Sequence, residues 1–166
     1  MRYLLFTFLV SLLFITGCSK KDAGAYMEEA KNLLKENKYK EAVLLYETLT
    51  KEHPEAAQAA EAFFEMAKLY QAKLVPGISG TEAYQKAITS YTSVYEKYPD
   101  SKEAPLALFM TGFILANELK DYPAAKKSFE KFIAQYPEHE MISSAQSEIA
   151  NMGKSPEEML NQVTQP

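Results

Sequence analysis

The chain has 166 residues, 18 Lys plus Arg against 22 Asp plus Glu, a formal charge of −4, and a single cysteine. With no second cysteine an intrachain disulfide is excluded. The only arginine is Arg2, so an acidic chain of this kind offers no basic face for nucleic acid.

Residues 1–16 start with Met1 and Arg2, run through a twelve-residue apolar core from Leu4 to Ile15, and end at Thr16. That is the layout of a secretory signal peptide, too short to cross a bilayer, which takes about 20 apolar residues. The junction Ile15-Thr16-Gly17-Cys18 resembles the bacterial lipobox. The resemblance implies that residues 1–17 are a lipoprotein signal peptide and that Cys18 becomes the first mature residue. It also implies a covalent diacylglycerol and an N-acyl chain on Cys18, with no other cofactor expected. One acyl chain anchors only marginally and two or more anchor stably, at about 0.8 kcal/mol per buried methylene. An ordinary secretory signal with an incidental cysteine is the other reading of the same residues. Residues 18–24 then form the lipidated cysteine and a short tether, in which Ser19 to Gly24 spans at most about 20 Å.

From residue 24 onward the periodicity of apolar residues and the cap residues predict helices near 24–36, 39–52, 55–73, 81–97, 101–118, 122–135 and 138–151. Thr81 and Ser101 are read as N-caps, and Pro123 suits the first helical turn. Between the third and fourth helices "LVPGISG" (74–80) reads as a loop, a surface turn and not a phosphate cradle. After the seventh helix comes a tail, 152–166. Its "KSPEEML" is a capping-box signal, in which Ser155 and Glu158 start a short helix or turn.

Three phrases in this walk repeat: "KEHPEAAQAA", "EKYPDSKEAP" and "AQYPEHEMIS". Their prolines are Pro54, Pro99 and Pro137, spaced 45 and 38 residues apart. Twelve residues before each stands Ala42, Ala87 or Ala125, and eight before stands Tyr46, Tyr91 or Phe129. Fifteen before stands Tyr39, Tyr84 or Tyr122. Phe63, Met66, Ala67 and Tyr70 mark the preceding helix of the middle unit, with Gly112 opposite Ala67 in the third and Tyr26 and Ala30 in register in the first.

The pattern resembles the tetratricopeptide repeat, a helix–turn–helix unit with small residues where helices cross and a proline closing the second helix. The resemblance implies an all-α fold, a right-handed solenoid of three helix-turn-helix units plus a C-terminal capping helix. The domain then covers 25–151, divided at about 25–58, 59–103 and 104–141, with the capping helix reaching 151. It also implies a concave groove lined by the first helices, where a protein or peptide segment docks. Carried over by alignment, the groove positions are Met27, Lys31 and Leu34, then Phe64, Lys68 and Gln71, then Phe109, Phe113 and Asn117. The aromatics Phe64, Phe109 and Phe113 read either as groove floor or as core, and aromatics at helical spacing are more often core. The lysine and asparagine clamp of chaperone-binding members has no counterpart here.

No catalytic or metal constellation accompanies the repeats. His53 and His139 occupy equivalent turns of different units and read as solvated turn residues. No His-x-x-x-His, Cys pair or Gly-x-Ser-x-Gly elbow occurs, and the glutamates alternate with lysines as solvated helix faces do. Neither an enzyme nor a metal protein is expected. A lipobox joined to repeats closing in Tyr-Pro, as in "YPDSKEAPLAL", resembles the BamD-like lipoproteins of the outer-membrane β-barrel assembly machinery, over their N-terminal repeats only. That resemblance implies a lipid-anchored adaptor of the bacterial cell envelope that contacts the membrane through its lipid and binds another envelope protein. Ser19, standing where an aspartate would retain a lipoprotein in the inner membrane, favours the outer membrane, facing the periplasm. A pilotin-type lipoprotein for a secretin or pilus system fits the same features, as does a periplasmic chaperone or regulator of a cell-wall enzyme.

Overall fold

The computed structural model describes residues 21–155 and 157–158; the expected signal peptide, Cys18 and the last residues of the tail lie outside them. Seven helices follow one another among the described residues: α1 Ala23–Lys35, α2 Tyr39–Glu52, α3 Ala57–Gln71, α4 Gly80–Lys97, α5 Ala104–Asn117, α6 Tyr122–Gln135 and α7 Ile142–Asn151. Each packs chiefly on its neighbours in the chain, and α1–α3 and α3–α5 touch more lightly. Three helix hairpins are therefore stacked in series, with α7 closing the end against α6. This is the expected all-α solenoid.

The recurring columns explain why the hairpins close. Ala42, Ala87 and Ala125 are fully buried, as are Ala30 and Ala67 on the facing helices. Without side-chain bulk at the crossing, the paired helices approach closely. Tyr46, Tyr91 and Phe129 fill the space beside those alanines and are at most 1% exposed. In the third hairpin the approach is tight enough to require glycine: a Cβ on Gly112 would stand 3.0 Å from three carbons of the Phe129 ring.

The proline phrases form one structure, built three times. The second helix of each hairpin ends at His53, Tyr98 or Tyr136, all with φ near −130° and ψ near 55–57°. The amide of the residue three further on then donates back: Ala56 to His53, Ser101 to Tyr98, His139 to Tyr136. A second turn follows at once, with Ala59 donating to Ala56, Ala104 to Ser101 and Ile142 to His139. Proline holds the second position of the first turn, where its fixed φ is already right. Two successive turns consume residues that periodicity alone assigns to helix. The expected starts at 55, 101 and 138 are thus too early, and the helices begin at 57, 104 and 142.

Two caps are likewise corrected. Ser79, not Thr81, caps α4, its hydroxyl accepting from the Glu82 amide at 3.1 Å. Ser101 lies in the turn before α5 and caps nothing, its Oγ buried without a partner among the described residues. Asp22 and Asp121 cap α1 and α6, accepting from Ala25 and Ala124 at 2.9 and 3.1 Å. Replacing Asp121 by Ala leaves that first-turn amide without its cap, and a loss of about 1 kcal/mol in urea unfolding is expected. Pro123 sits in the first turn of α6. The capping box of the tail closes as read, Ser155 N–H donating to Glu158 at 2.7 Å and Glu158 N–H to Ser155 at 3.2 Å. These bonds hold the Glu158 carboxyl below the usual carboxylate range.

The loop after α3 is a turn with two anchors, Val75 buried and Ile78 packed against the core. Each hairpin turn also contains one non-glycine residue in the left-handed region: Asn37, Lys73 and Lys120, with φ of 55–58°. Each is followed by an amide that reaches back into the preceding helix, as Leu74 does to Leu69 and Lys38 to Leu33. The helix ends there.

Candidate protein-interaction surface

The first helices α1, α3 and α5 lie side by side, and the nine positions expected to line a groove are distributed over them unequally. Met27 and Phe109 are core, 4% and 5% exposed. Phe109 is gripped edge-on by Phe129 and Phe132, with ring centroids 5.3 and 5.7 Å away. An aromatic floor therefore cannot include it. Leu34 and Phe64 are half-buried against the core of the first two hairpins, Phe64 meeting Tyr91 edge-on at 5.4 Å. Phe113 is half-buried against a cluster that includes Ile149 of α7. Its neighbour on the next turn, Asn117, donates to the Phe113 carbonyl at 3.2 Å and to Glu148 of α7 at 3.4 Å. The closing helix thus reaches the end of α5 where the third set of positions stands.

The polar members of the set already have partners outside it. Lys31 reaches across from α1 to Glu61 of α3 at 2.9 Å, and the carboxylate raises the ammonium pKa above its ordinary value. Lys68 pairs with Glu65 at 2.9 Å. Gln71 accepts from the buried Tyr91 hydroxyl at 2.9 Å. What these positions offer a partner is a polar surface with exposed Lys31, Lys68 and Asn117, backed by the edges of Leu34, Phe64 and Phe113.

Neither histidine is simply solvated. His53 is half-buried, its Nε2 2.7 Å from the Lys21 carbonyl and its ring 6.0 Å from Tyr26, so it holds the chain entering α1. His139 Nδ1 accepts from the Met141 amide at 3.2 Å while its ring meets Phe132 edge-on at 5.3 Å. Both are parts of the proline turns. Among the described residues no three His, Cys, Asp or Glu side chains converge as metal ligands would.

Sequence reasoning misses one feature of the surface. Between the start of α3 and the α4–α5 turn lies a cleft of about 710 Å³, lined by residues of the first two proline phrases. Its one sequence signal is an acidic residue straight after each proline, Glu55, Asp100 and Glu138.

Two family models described as tetratricopeptide repeat match the chain, one over residues 61–101 and again over 106–139, the other over 27–62. The chain belongs to the tetratricopeptide repeat family. No curated protein matches it. The three matched segments follow the three stacked hairpins, α1–α2, α3–α4 and α5–α6: the second and third end in their proline turns and the first runs on into the start of α3. Tetratricopeptide repeat domains generally bind protein partners and are typically non-enzymatic scaffolds.

Proposed function

We propose that this tetratricopeptide repeat protein is a lipid-anchored, non-enzymatic scaffold of the bacterial cell envelope that docks another envelope protein, within outer-membrane assembly as the BamD-like resemblance suggests. The observation that carries the reading is the junction of two signals in one chain: an apolar leader ending in Ile15-Thr16-Gly17-Cys18, and a repeat domain beginning a few residues later. Geometry supports it. His53 pins the backbone at Lys21, and only Ser19 and Lys20 separate Lys21 from Cys18, a reach of at most about 10 Å. A lipidated Cys18 would keep the edge bearing His53 and the proline turns next to the bilayer surface, within reach of membrane-bound partners.

Cys18→Ser is expected to move the protein almost completely from the membrane fraction to the soluble fraction. Globomycin, which blocks lipoprotein signal cleavage, is expected to leave an unprocessed precursor. Unchanged fractionation and processing in both experiments would refute the anchor. Cross-linking in cells followed by mass spectrometry names the docked protein, and the absence of any partner on repeated capture would refute the scaffold.

A further inference from the structure

The cleft between the start of α3 and the α4–α5 turn has a chemistry of its own. Its floor is apolar and small-featured, made by Ala56, Ala57 and Ala60 with the Tyr98 ring and Pro99. The Tyr98 hydroxyl donates to the Pro54 carbonyl at 2.8 Å and fixes that ring across the two proline turns. Four carboxylates line the cleft, those of Glu55, Glu61, Asp100 and Glu103, against the ammonium groups of Lys97 and Lys102. Both lysines are already engaged: Lys97 lies 5.0 Å from the Phe63 ring centroid and Lys102 lies 3.6 Å from Glu103. Glu61 is held by Lys31. Glu55 and Asp100, both exposed, form no ion pair among the described residues.

We infer that this cleft docks a cationic segment of the partner protein, an extended stretch in which lysine or arginine alternates with small apolar residues. The inference rests on the scaffold reading. An extended chain turns successive side chains to opposite faces. One face can then lie on the alanine and tyrosine floor while the other presents cations to the rim at Glu55 and Asp100. The alanines keep the floor shallow enough for a backbone to approach. α3 receives no side-chain cap, so the first-turn N–H groups of Ala57 and Gln58 at the cleft remain to donate to the carbonyls of an incoming strand, whereas at α5 the Ala104 N–H is spent on Ser101 and Pro105 has none. An acidic segment or an anionic lipid headgroup would meet the unpaired carboxylates of Glu55 and Asp100 and be disfavoured there.

The test uses the full lipoprotein in a neutral detergent and two dye-labelled peptides, acetyl-(Ala-Lys)4-amide and acetyl-(Ala-Glu)4-amide, followed by fluorescence anisotropy. The lysine peptide is expected to bind and the glutamate peptide not. Glu55→Gln/Asp100→Asn is expected to weaken the lysine peptide about 5–10-fold, as loss of two exposed charge contacts should. Glu96→Gln/Glu130→Gln, which removes the same charge from exposed positions on α4 and α6, should change it less than about twofold. All four side chains are exposed, and matching thermal melts certify the fold. Absence of lysine-peptide binding, equal binding of the glutamate peptide, or equal losses in the two double variants would overturn the cleft. In cells, a partner captured equally well by the Glu55/Asp100 variant overturns the cleft and leaves the scaffold standing, whereas capture of no partner by the unaltered protein overturns the scaffold itself.

Discussion

Phe129→Ala is expected to cost about 3–5 kcal/mol of unfolding free energy, the top of the range for truncating one buried side chain. The ring is fully buried, lies in the space that Gly112 leaves open, and is met edge-on by Phe109 at 5.3 Å. Truncation removes the packing atoms and leaves a void between α5 and α6. Stacked repeats bury their apolar faces only on each other, so a weakened α5–α6 pair also weakens what holds α7. Urea unfolding followed by circular dichroism measures the loss. The complementary variant, Gly112→Val, drives a branched side chain into the same ring, and overpacking of this kind costs about 1–3 kcal/mol or more. A loss below about 1.5 kcal/mol for Phe129→Ala would mean that the ring is not what separates the two helices.

That crossing is legible in the sequence. Small residues at 42, 87 and 125 followed by aromatics at 46, 91 and 129 recur only if each unit closes in the same way, and burial bears them out. What is not legible follows from two physical circumstances. Proline marks the end of a helix but not how many turns follow before the next, so periodicity starts the helices after Pro54, Pro99 and Pro137 too early. Helix α5, "APLALFMTGFILAN", is apolar nearly all round. A helix without a polar face has no stripe to show which side looks inward, and alignment alone puts Phe109 in the groove. The structure buries it instead against Phe129 and Phe132 of α6. The histidines escape a sequence reading for a related reason: their partners, the Lys21 carbonyl and the Phe132 ring, come from segments that periodicity does not bring together. The cleft of the proline turns needs the turns themselves.

The buried tyrosines of the first two hairpins give the second large effect, and the repeat itself supplies the comparison, since the third hairpin carries phenylalanine at the equivalent position. Tyr46 is fully buried and its hydroxyl finds no partner among the described residues, whereas the Tyr91 hydroxyl donates to Gln71 at 2.9 Å. Removing an unpaired buried hydroxyl relieves a desolvation cost, and removing a paired one forfeits a hydrogen bond and strands its acceptor. Tyr46→Phe is therefore expected to stabilise by about 1 kcal/mol and Tyr91→Phe to destabilise by about 1 kcal/mol, opposite signs at equivalent sites. Base adds a steeper effect. Burial, reinforced by the Glu65 carboxylate, pushes both phenols well above the usual tyrosine range, and Glu61 adds to the shift at Tyr46. In the unfolded chain they ionise near pH 10, so the unfolded state releases protons that the folded state keeps. The stability they contribute is complete below about pH 10 and falls as pH rises beyond it, by about 1.4 kcal/mol per pH unit for each tyrosine. Urea midpoints measured between pH 8 and pH 11 should stay level and then drop. In Tyr46→Phe the drop should be shallower, because one ionising group is gone, and the variant's lead over the parent should widen as pH rises. If the two proteins decline in parallel, the Tyr46 phenol reaches solvent in the folded state and the first hairpin is more open than its alanine crossing allows.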